Sequence, residues 1–395
     1  MLLYYLYQHI LFAIFNIASD EVVKFSLLLI IITKPKYLLI NLHKKKIIFL
    51  FIIIMTLIAE YIWFDGDNLR SKIKIVKSED DIIKWNFDGS STGQFETKNS
   101  DLILNPIDKI SNPLLPDDID GFIVLCEVLN QDGSPHSTNS YHKLIQNKFS
   151  SDINIWFGFE QEYIMLNKDK TLYGVEIDKK DKKSKHYNKL ETKQYYCSVG
   201  ASNSFGRQIV DEHLYCCLRA ELSICGTNSE VTPSQWEFQI GPTSAIAASN
   251  DLWFARYLLI KIAEKYGVDI TFHPKPFSNL NGSGLHTNFS TLEMRYDCNL
   301  LNIKDAITKL SLTHNEHIKV YGKDNNLRLT GKNETSPIDR FSYGLCDRSS
   351  SIRIPVNVKS EGKGYIEDRR PAANADPYEV TLAILNTVCE TQTFV

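Results

Sequence analysis

The chain has 395 residues, enough for two domains and at least one large core, and 43% of them are hydrophobic, which excludes wholesale disorder. Lys and Arg number 44 against 47 Asp and Glu, a formal net charge of -3, so no nucleic acid or other polyanion is indicated as a partner. The eight cysteines show no CxxC pair and no disulfide-scaffold spacing, and read as reduced, mostly buried thiols of a cytoplasmic protein.

Residues 1–58 differ in composition from the rest, being dominated by Ile, Leu, Phe, Tyr and Lys. Their apolar runs, Ser26–Thr33 and Ile47–Ile58, fall short of the roughly 18–20 residues that cross a bilayer. The start has neither the basic n-region of a secretory signal nor the Arg/Ser character of a transit peptide. The residue bias is that of AT-rich codons, and the segment is expected to lie outside the functional fold; a membrane-surface anchor is the alternative, and membrane association is not expected.

Residues 59–150 read as a small β-rich domain. Tyr61–Asp65 and Ile73–Val76 are strand candidates joined by a turn at Asp65–Gly66. WNFDGSSTGQ (Trp85–Gln94) is a turn rich in hydrogen-bonding groups, Phe122–Val128 a buried strand, and Tyr141–Phe149 a helix. Residues 151–395 have another character. In WFGFEQEY, Glu160 and Glu162 stand two apart on one face of a strand, where paired carboxylates repel unless solvated or sharing cations. Lys168–Lys189 reads as an exposed insertion, and Gln208–Glu221 as an amphipathic helix with Ile209, Leu214, Cys217 and Leu218 on its apolar face. From Gln235 the chain alternates: Trp236, Phe238 and Ile240 point one way and Gln235, Glu237 and Gln239 the other, a half-buried strand. A carboxylate held there needs a cation or a raised pKa, and Pro233 can swing Glu230 back toward it. A helix is expected from Asp251 to Tyr266.

Further on, Gly282 and Gly284 allow close backbone approach, and His286 and Asn288 share a strand face. His314 and His317 lack the zinc-protease spacing and read as helix surface. The last third is marked by Arg328, Arg348, Arg353, Arg369 and Arg370; singly these are surface residues, but together they suggest a cavity for phosphate and carboxylate anions. Glu367 and Arg369 share a face if extended. Neither a Walker-A loop nor G-x-G-x-x-G occurs.

Eight blocks in order, YIWFDG, WNFDGSST, WFGFEQEY, GTN-x-EV with QWEFQIGP, NGSGLHTNFST, RLTG-x-x-ETS, DRSSSIRIP and GYIEDRRPAAN, give the chain from about Ala59 to about Glu390 its resemblance to glutamine synthetases of the eukaryotic (class II) type. The resemblance implies an α+β fold: an N-terminal β-grasp domain and a catalytic domain built on a curved antiparallel sheet with flanking helices. It implies ATP-dependent ligation of ammonia to L-glutamate through γ-glutamyl phosphate, with two or more Mg²⁺ or Mn²⁺ ions per site. Assembly as a homo-oligomer, a decamer of two pentameric rings, is part of the same implication. The alternatives are a γ-glutamyl ligase using another amine and an inactive structural member of the family.

Carried over residue by residue, the resemblance assigns Glu162, Glu230 and Glu237 to one metal, and Glu160, His286 and Glu367 to the other. It gives catalytic roles to Asp88, Glu334 and Arg348, and substrate contacts to Ser91, Asn281, Gly282, Arg328 and Arg369. Arg353, Glu237, Phe238, His286, Asn288 and Ser290 fall to ATP. Leu280, Asn333 and Asp347 stand where the family usually has Trp, His and Asn.

Overall fold

The structure, a computed structural model, describes residues 56–175, 193–298 and 300–389. The N-terminal apolar runs, except for Leu57 and Ile58, and most of the lysine-rich insertion lie outside the described residues.

The first sheet holds five strands: β1 (Leu57–Phe64), β2 (Leu69–Val76), β3 (Trp85–Asp88), β4 (Asp101–Ser111) and β5 (Gly121–Leu129), in the order β2-β1-β5-β4-β3. β1 pairs antiparallel with β2 and parallel with β5. The β1–β2 turn is built by Asp65, whose carboxylate accepts from the backbone N–H groups of Asp67 and Asn68 at 2.8 and 2.7 Å and from Arg70 Nε at 2.6 Å. Gly66 has φ 109°, a conformation open to glycine at low cost. β4 is a strand that local pattern does not announce. Its run contains Pro106, and the ladder to β5 is broken by a bulge between Pro106 and Asp108, the arrangement by which a sheet tolerates proline. Helix α1 (Ser140–Ile145), shorter than the Tyr141–Phe149 expectation, starts where the Asn139 side chain accepts from His142 N at 3.0 Å.

The second sheet comprises β6 (Trp156–Leu166), β7 (Ile224–Ser229), β8 (Gln235–Thr243), β9 (Asp269–Thr271), β10 (Leu285–Ser290), β11 (Tyr343–Leu345), β12 (Ile352–Ile354) and β13 (Ile366–Asp368). Its order is β11-β12-β13-β10-β6-β8-β7, with β9 also on β6, and every pairing is antiparallel except β11 with β12. Around it lie α2 (Arg207–Arg219), α3 (Ala245–Lys265), α4 (Leu292–Tyr296), α5 (Leu301–Leu312), α6 (His314–Val320), α7 (Val356–Glu361) and α8 (Pro377–Val388). α3, capped by Ser244, begins at Ala245, six residues before the expected Asp251, and is buried on most of its circumference. From it Tyr257 donates to Glu60 of β1 at 2.5 Å, so one helix braces both sheets.

Several expectations are corrected. β8 is not half-buried: Gln235 and Glu237 are 2% and 6% exposed, because the polar side faces other protein groups rather than solvent. On α2 the buried face is Ile209, Val210, His213, Cys216 and Cys217, while Leu218 points outward. His314 and His317 are buried, not surface, since α6 packs them against the Asp368–Arg370 ion pair. Of the cysteines, only Cys126, Cys216 and Cys217 are buried; Cys197, Cys225, Cys298 and Cys346 are exposed in loops and at strand positions facing solvent or cavities.

Candidate active site

The sheet register places the chemistry. Across β12, β13 and β10, Arg353 pairs with Glu367 and Glu367 with Asn288. Across β10, β6 and β8, His286 pairs with Glu160 and Glu160 with Gln239. Two residues along, Glu162 pairs with Glu237, and Glu237 with Asn228 of β7. Since side chains alternate with period two, Glu160 and Glu162 fall on the face that also receives Glu237, His286 and Glu367. Two ligand groups result, each with donor atoms within 4.8 Å of one another: Glu160, His286 and Glu367, and Glu162, Glu237 and His286. Glu230 belongs to neither group; it follows β7, accepts from Asn228 Nδ2 at 3.0 Å and lies in the field of Glu162.

Burial sets the electrostatics. It pushes the Glu230 carboxyl up to about 8, with Glu162 adding to the shift, and Glu237 up to about 9, with Glu160, Glu162 and Glu230 adding. Glu162 is also raised by burial, although Arg328 and the Gly284 N–H, 2.6 Å from its Oε2, oppose this. Burial and then Arg369 hold His286 well below the usual histidine value, so its ring is neutral. Nδ1 of that ring lies 3.4 Å from Glu160 and 3.7 Å from Glu367, while Arg328 Nη2 stands 3.1 Å from Nε2. Glu367 is compensated: Arg353 and Arg369 each reach one of its oxygens at 2.6 Å. The acids left without a cation beside them are therefore Glu230 and Glu237, which burial and their acidic neighbours keep protonated.

Two cavities open on this face. One is bounded by Glu162, Glu230, Asn281, Gly282, Arg328, Glu334 and Arg369, and His286 lines it as well. The other, of about 410 Å³, runs past Glu160 to Trp156, Cys225, Asn288, Ser290, Arg295 and Tyr365. Gly284 serves the first cavity in a way the sequence did not specify. A Cβ there would lie 2.3 Å from Arg328 Nη2, so the close approach is to an arginine. Arg353 Nε, Arg369 Nε and Asn288 Oδ1 are buried without a hydrogen-bond partner, polar atoms suited to a ligand's oxygens and donors.

Not every candidate converges. The Phe238 ring is fully buried in the core beside Tyr163 and His213, and lines neither cavity. Asp88 and Ser91 sit on the other sheet, at the end of β3, where Ser91 Oγ donates to Asp88 at 2.6 Å and, with Ser100 and Ser90, holds that carboxyl well below the usual range. Arg348 is exposed, and its guanidinium pairs with the Tyr196 hydroxyl. Asp347 accepts from Ser349 N, Ser349 Oγ and Ser350 Oγ, which shapes the turn that carries Arg348. Leu280 fills an apolar pocket with Phe277 and Leu172.

Sequence reasoning missed Arg295, Trp156 and Tyr365. Arg295 stacks on Trp156 at 3.7 Å and donates to Ser290 Oγ at 2.8 Å. Nothing local marks it. Gln239, by contrast, shares the polar side of β8 with Glu237 and was legible from the alternation.

Crowded carboxylates beside a cluster of guanidinium groups form a donor set suited to divalent cations and to anionic substrates, the kind of site an enzyme uses. Residues 138–319 match the family model described as the glutamine synthetase catalytic domain. The glutamine synthetase of Tuber borchii is 47% identical over 341 residues, covering 85% of this chain and 92% of that protein. That of Saccharomyces cerevisiae is 46% identical over 341 residues, covering 84% and 89%. The cryo-EM structure of Plasmodium falciparum glutamine synthetase shares the fold, with a TM-score of 0.68 at 18% identity over 85% of this chain and 72% of that one. The chain belongs to the glutamine synthetase family. Among the described residues no helix is long and apolar enough to cross a membrane.

Proposed function

We propose that this protein is a glutamate–ammonia ligase, joining ammonia to L-glutamate at the expense of ATP and releasing L-glutamine, ADP and phosphate. The observation that carries the reading is the register that gathers Glu160, Glu162, Glu237 and Glu367 around His286, with Arg328, Arg353 and Arg369 beside them. A carboxylate does not condense with ammonia unaided, so its oxygen first takes the γ-phosphoryl group of ATP; ammonia then displaces phosphate from the acyl phosphate.

In this reading Glu162, Glu230 and Glu237 hold one divalent cation, and Glu160, His286 and Glu367 another. Oxygen donors with one imidazole suit Mg²⁺ or Mn²⁺. The raised Glu230 and Glu237 carboxyls support the fit, because their crowding lacks a matching positive charge. When bound, such ions neutralise these carboxylates and the substrate phosphates together. Arg328 and Arg369, with Asn281 and Gly282, bind glutamate; Arg353, Asn288 and Ser290 face the nucleotide. Arg348 stabilises the phosphoryl group in transfer, as a planar fork suits its oxygens. Glu334 covers the site and keeps water from the acyl phosphate. Asp88, with Ser91, comes from a neighbouring subunit to bind ammonium and take its proton, which requires a homo-oligomer; two stacked pentameric rings in the cytoplasm complete the reading.

The test is product formation from glutamate, ATP and Mg²⁺ with ammonium or with a panel of amines. Glutamine, ADP and phosphate in equal amounts with ammonium are expected. Turnover only with another amine would favour a γ-glutamyl ligase, and no turnover with any would favour an inactive structural member.

A further inference from the structure

The short strand β13 and the two residues that follow it present two pairs of side chains to opposite sides. Glu367 and Arg369 face the site, 2.6 Å apart. Asp368 and Arg370 face away and are both 0% exposed. Arg370 donates through Nη2 and Nε to the two oxygens of Asp368 at 2.6 and 2.9 Å, its backbone N–H donates at 3.0 Å, and Tyr321 adds a fourth donor at 2.9 Å. The rear pair is thus saturated on its acid side, yet Arg370 still has Nη1 to place. Nη1 donates to Nδ1 of His314, the first residue of α6, at 3.2 Å. A guanidinium only donates, so Nδ1 accepts and the ring proton belongs on Nε2. Nε2 lies 2.8 Å from the main-chain oxygen of Ile338, to which it donates.

Ile338 closes the loop that carries Glu334. Its N–H donates to Leu329 O at 3.0 Å, next to the bridge between Thr330 and Pro337. Within the loop Gly331, Asn333 and Glu334 all have positive φ, at 76°, 51° and 61°. For Asn333 and Glu334 that conformation costs on the order of 1 kcal/mol or more each and persists only where surrounding contacts over-determine it. On the site side the loop is held by Arg369 Nη2, which donates to Glu334 O at 3.2 Å. Adjacent arginines therefore grip the same loop from opposite sides: Arg369 directly, and Arg370 through His314.

We propose that His314 is a positioning residue: it couples the back of β13 to the base of the 331–337 loop, so that Glu367, Arg369 and Glu334 are set as one body. The inference rests on the reading of Glu334 as the residue that shields the acyl phosphate. Burial, and then Arg370, lower the His314 pKa and keep the ring in the neutral form, with one donor and one acceptor, that the two contacts require.

Two substitutions separate the contacts. His314→Asn leaves an acceptor near Arg370 but cannot reach Ile338; His314→Gln offers both an acceptor and a donor. Two readouts go beyond activity: phosphate released per glutamine formed, and tryptic cleavage after Lys332, which is exposed in the loop. Wild type is expected to give a ratio near one and slow cleavage. The Asn variant is expected to raise the ratio, cleave about tenfold faster after Lys332 and lose kcat rather than gain KM, with the Gln variant close to wild type. An Asn variant that keeps both wild-type readouts, or a Gln variant as leaky as Asn, overturns the proposal. If the Asn variant does not fold, hydrogen exchange in the wild type decides. The Ile338 amide, held by Leu329, should open together with the Arg369 amide, held by Ser351; free opening of Ile338 while Arg369 stays closed would overturn it. A wild-type protein that makes no glutamine counts against the functional reading instead.

Discussion

At the scale of single residues, the site is set by which acids have a cation beside them and which do not. Glu160 stands beside His286 and Glu367, whereas Glu230 lies in the field of Glu162 and accepts from Asn228 and the Val231 N–H. Glu160→Ala and Glu230→Ala should each weaken cation binding by at least about tenfold, the first shifting the ATP dependence and the second the dependence on glutamate and ammonium. Wild-type turnover of both at limiting Mg²⁺ would refute the two-cation reading. Arg348 is exposed and its guanidinium pairs with the Tyr196 hydroxyl, a neutral partner that a transferring phosphoryl group can displace, so Arg348→Ala should lower kcat by about 10²–10³ while leaving the KM for ATP little changed. Arg348→Lys should rescue only part of this, because a point charge does not reproduce the fork. A large rise in KM at unchanged kcat would make Arg348 a ground-state binder.

At the scale of elements, β6, β8, β10 and β13 each contribute acids or histidine to one face, and the cost of that crowding depends on pH. The Glu230 and Glu237 carboxyls, raised to about 8 and about 9 from the ordinary glutamate range, hold protons in the folded protein that the unfolded chain has already released. Stability without divalent cation should therefore fall as pH rises through that window, and Tm in chelator should be lower near pH 9 than near pH 6. Added Mg²⁺ or Mn²⁺ should raise Tm more at the higher pH; an equal rise at both would contradict the linkage. Behind the site, Asp368→Ala would leave Arg370 buried without its acid, and should cost about 3–5 kcal/mol in denaturant unfolding. Much of this was legible in the sequence. The i, i+2 spacing of Glu160 and Glu162 and the alternation of β8 put the acids on one face before any pairing was known. What the sequence could not supply was register, since Arg353 meets Glu367 only through the pairing of β12 with β13. It also could not distinguish an exposed histidine pair from one drawn inside by a buried ion pair, which is why His314 and His317 were misread. The proline in β4 concealed a strand because only the bulge shows how the ladder accommodates it.

At the scale of the whole molecule, Asp88 and Ser91 lie on the first sheet and the acids on the second, and neither Asp88 nor Ser91 lines the two cavities. If they act from a neighbouring subunit, then mixing Asp88→Ala with Glu230→Ala subunits should restore activity through interfaces that pair one intact half-site from each. No recovery from verified mixed oligomers would contradict a shared site. A protein beginning near Met55 retains β1 from Leu57 and should be active and assembled; size-exclusion chromatography with light scattering checks this, and a monomer would show that assembly needs the preceding residues. The central claim, that glutamate is activated as an acyl phosphate in this site, is tested most directly by oxygen transfer. Glutamate labelled with ¹⁸O in its γ-carboxylate, turned over with ATP and ammonium, should deliver one labelled oxygen to each phosphate released; glutamine formed alongside unlabelled phosphate would contradict the account.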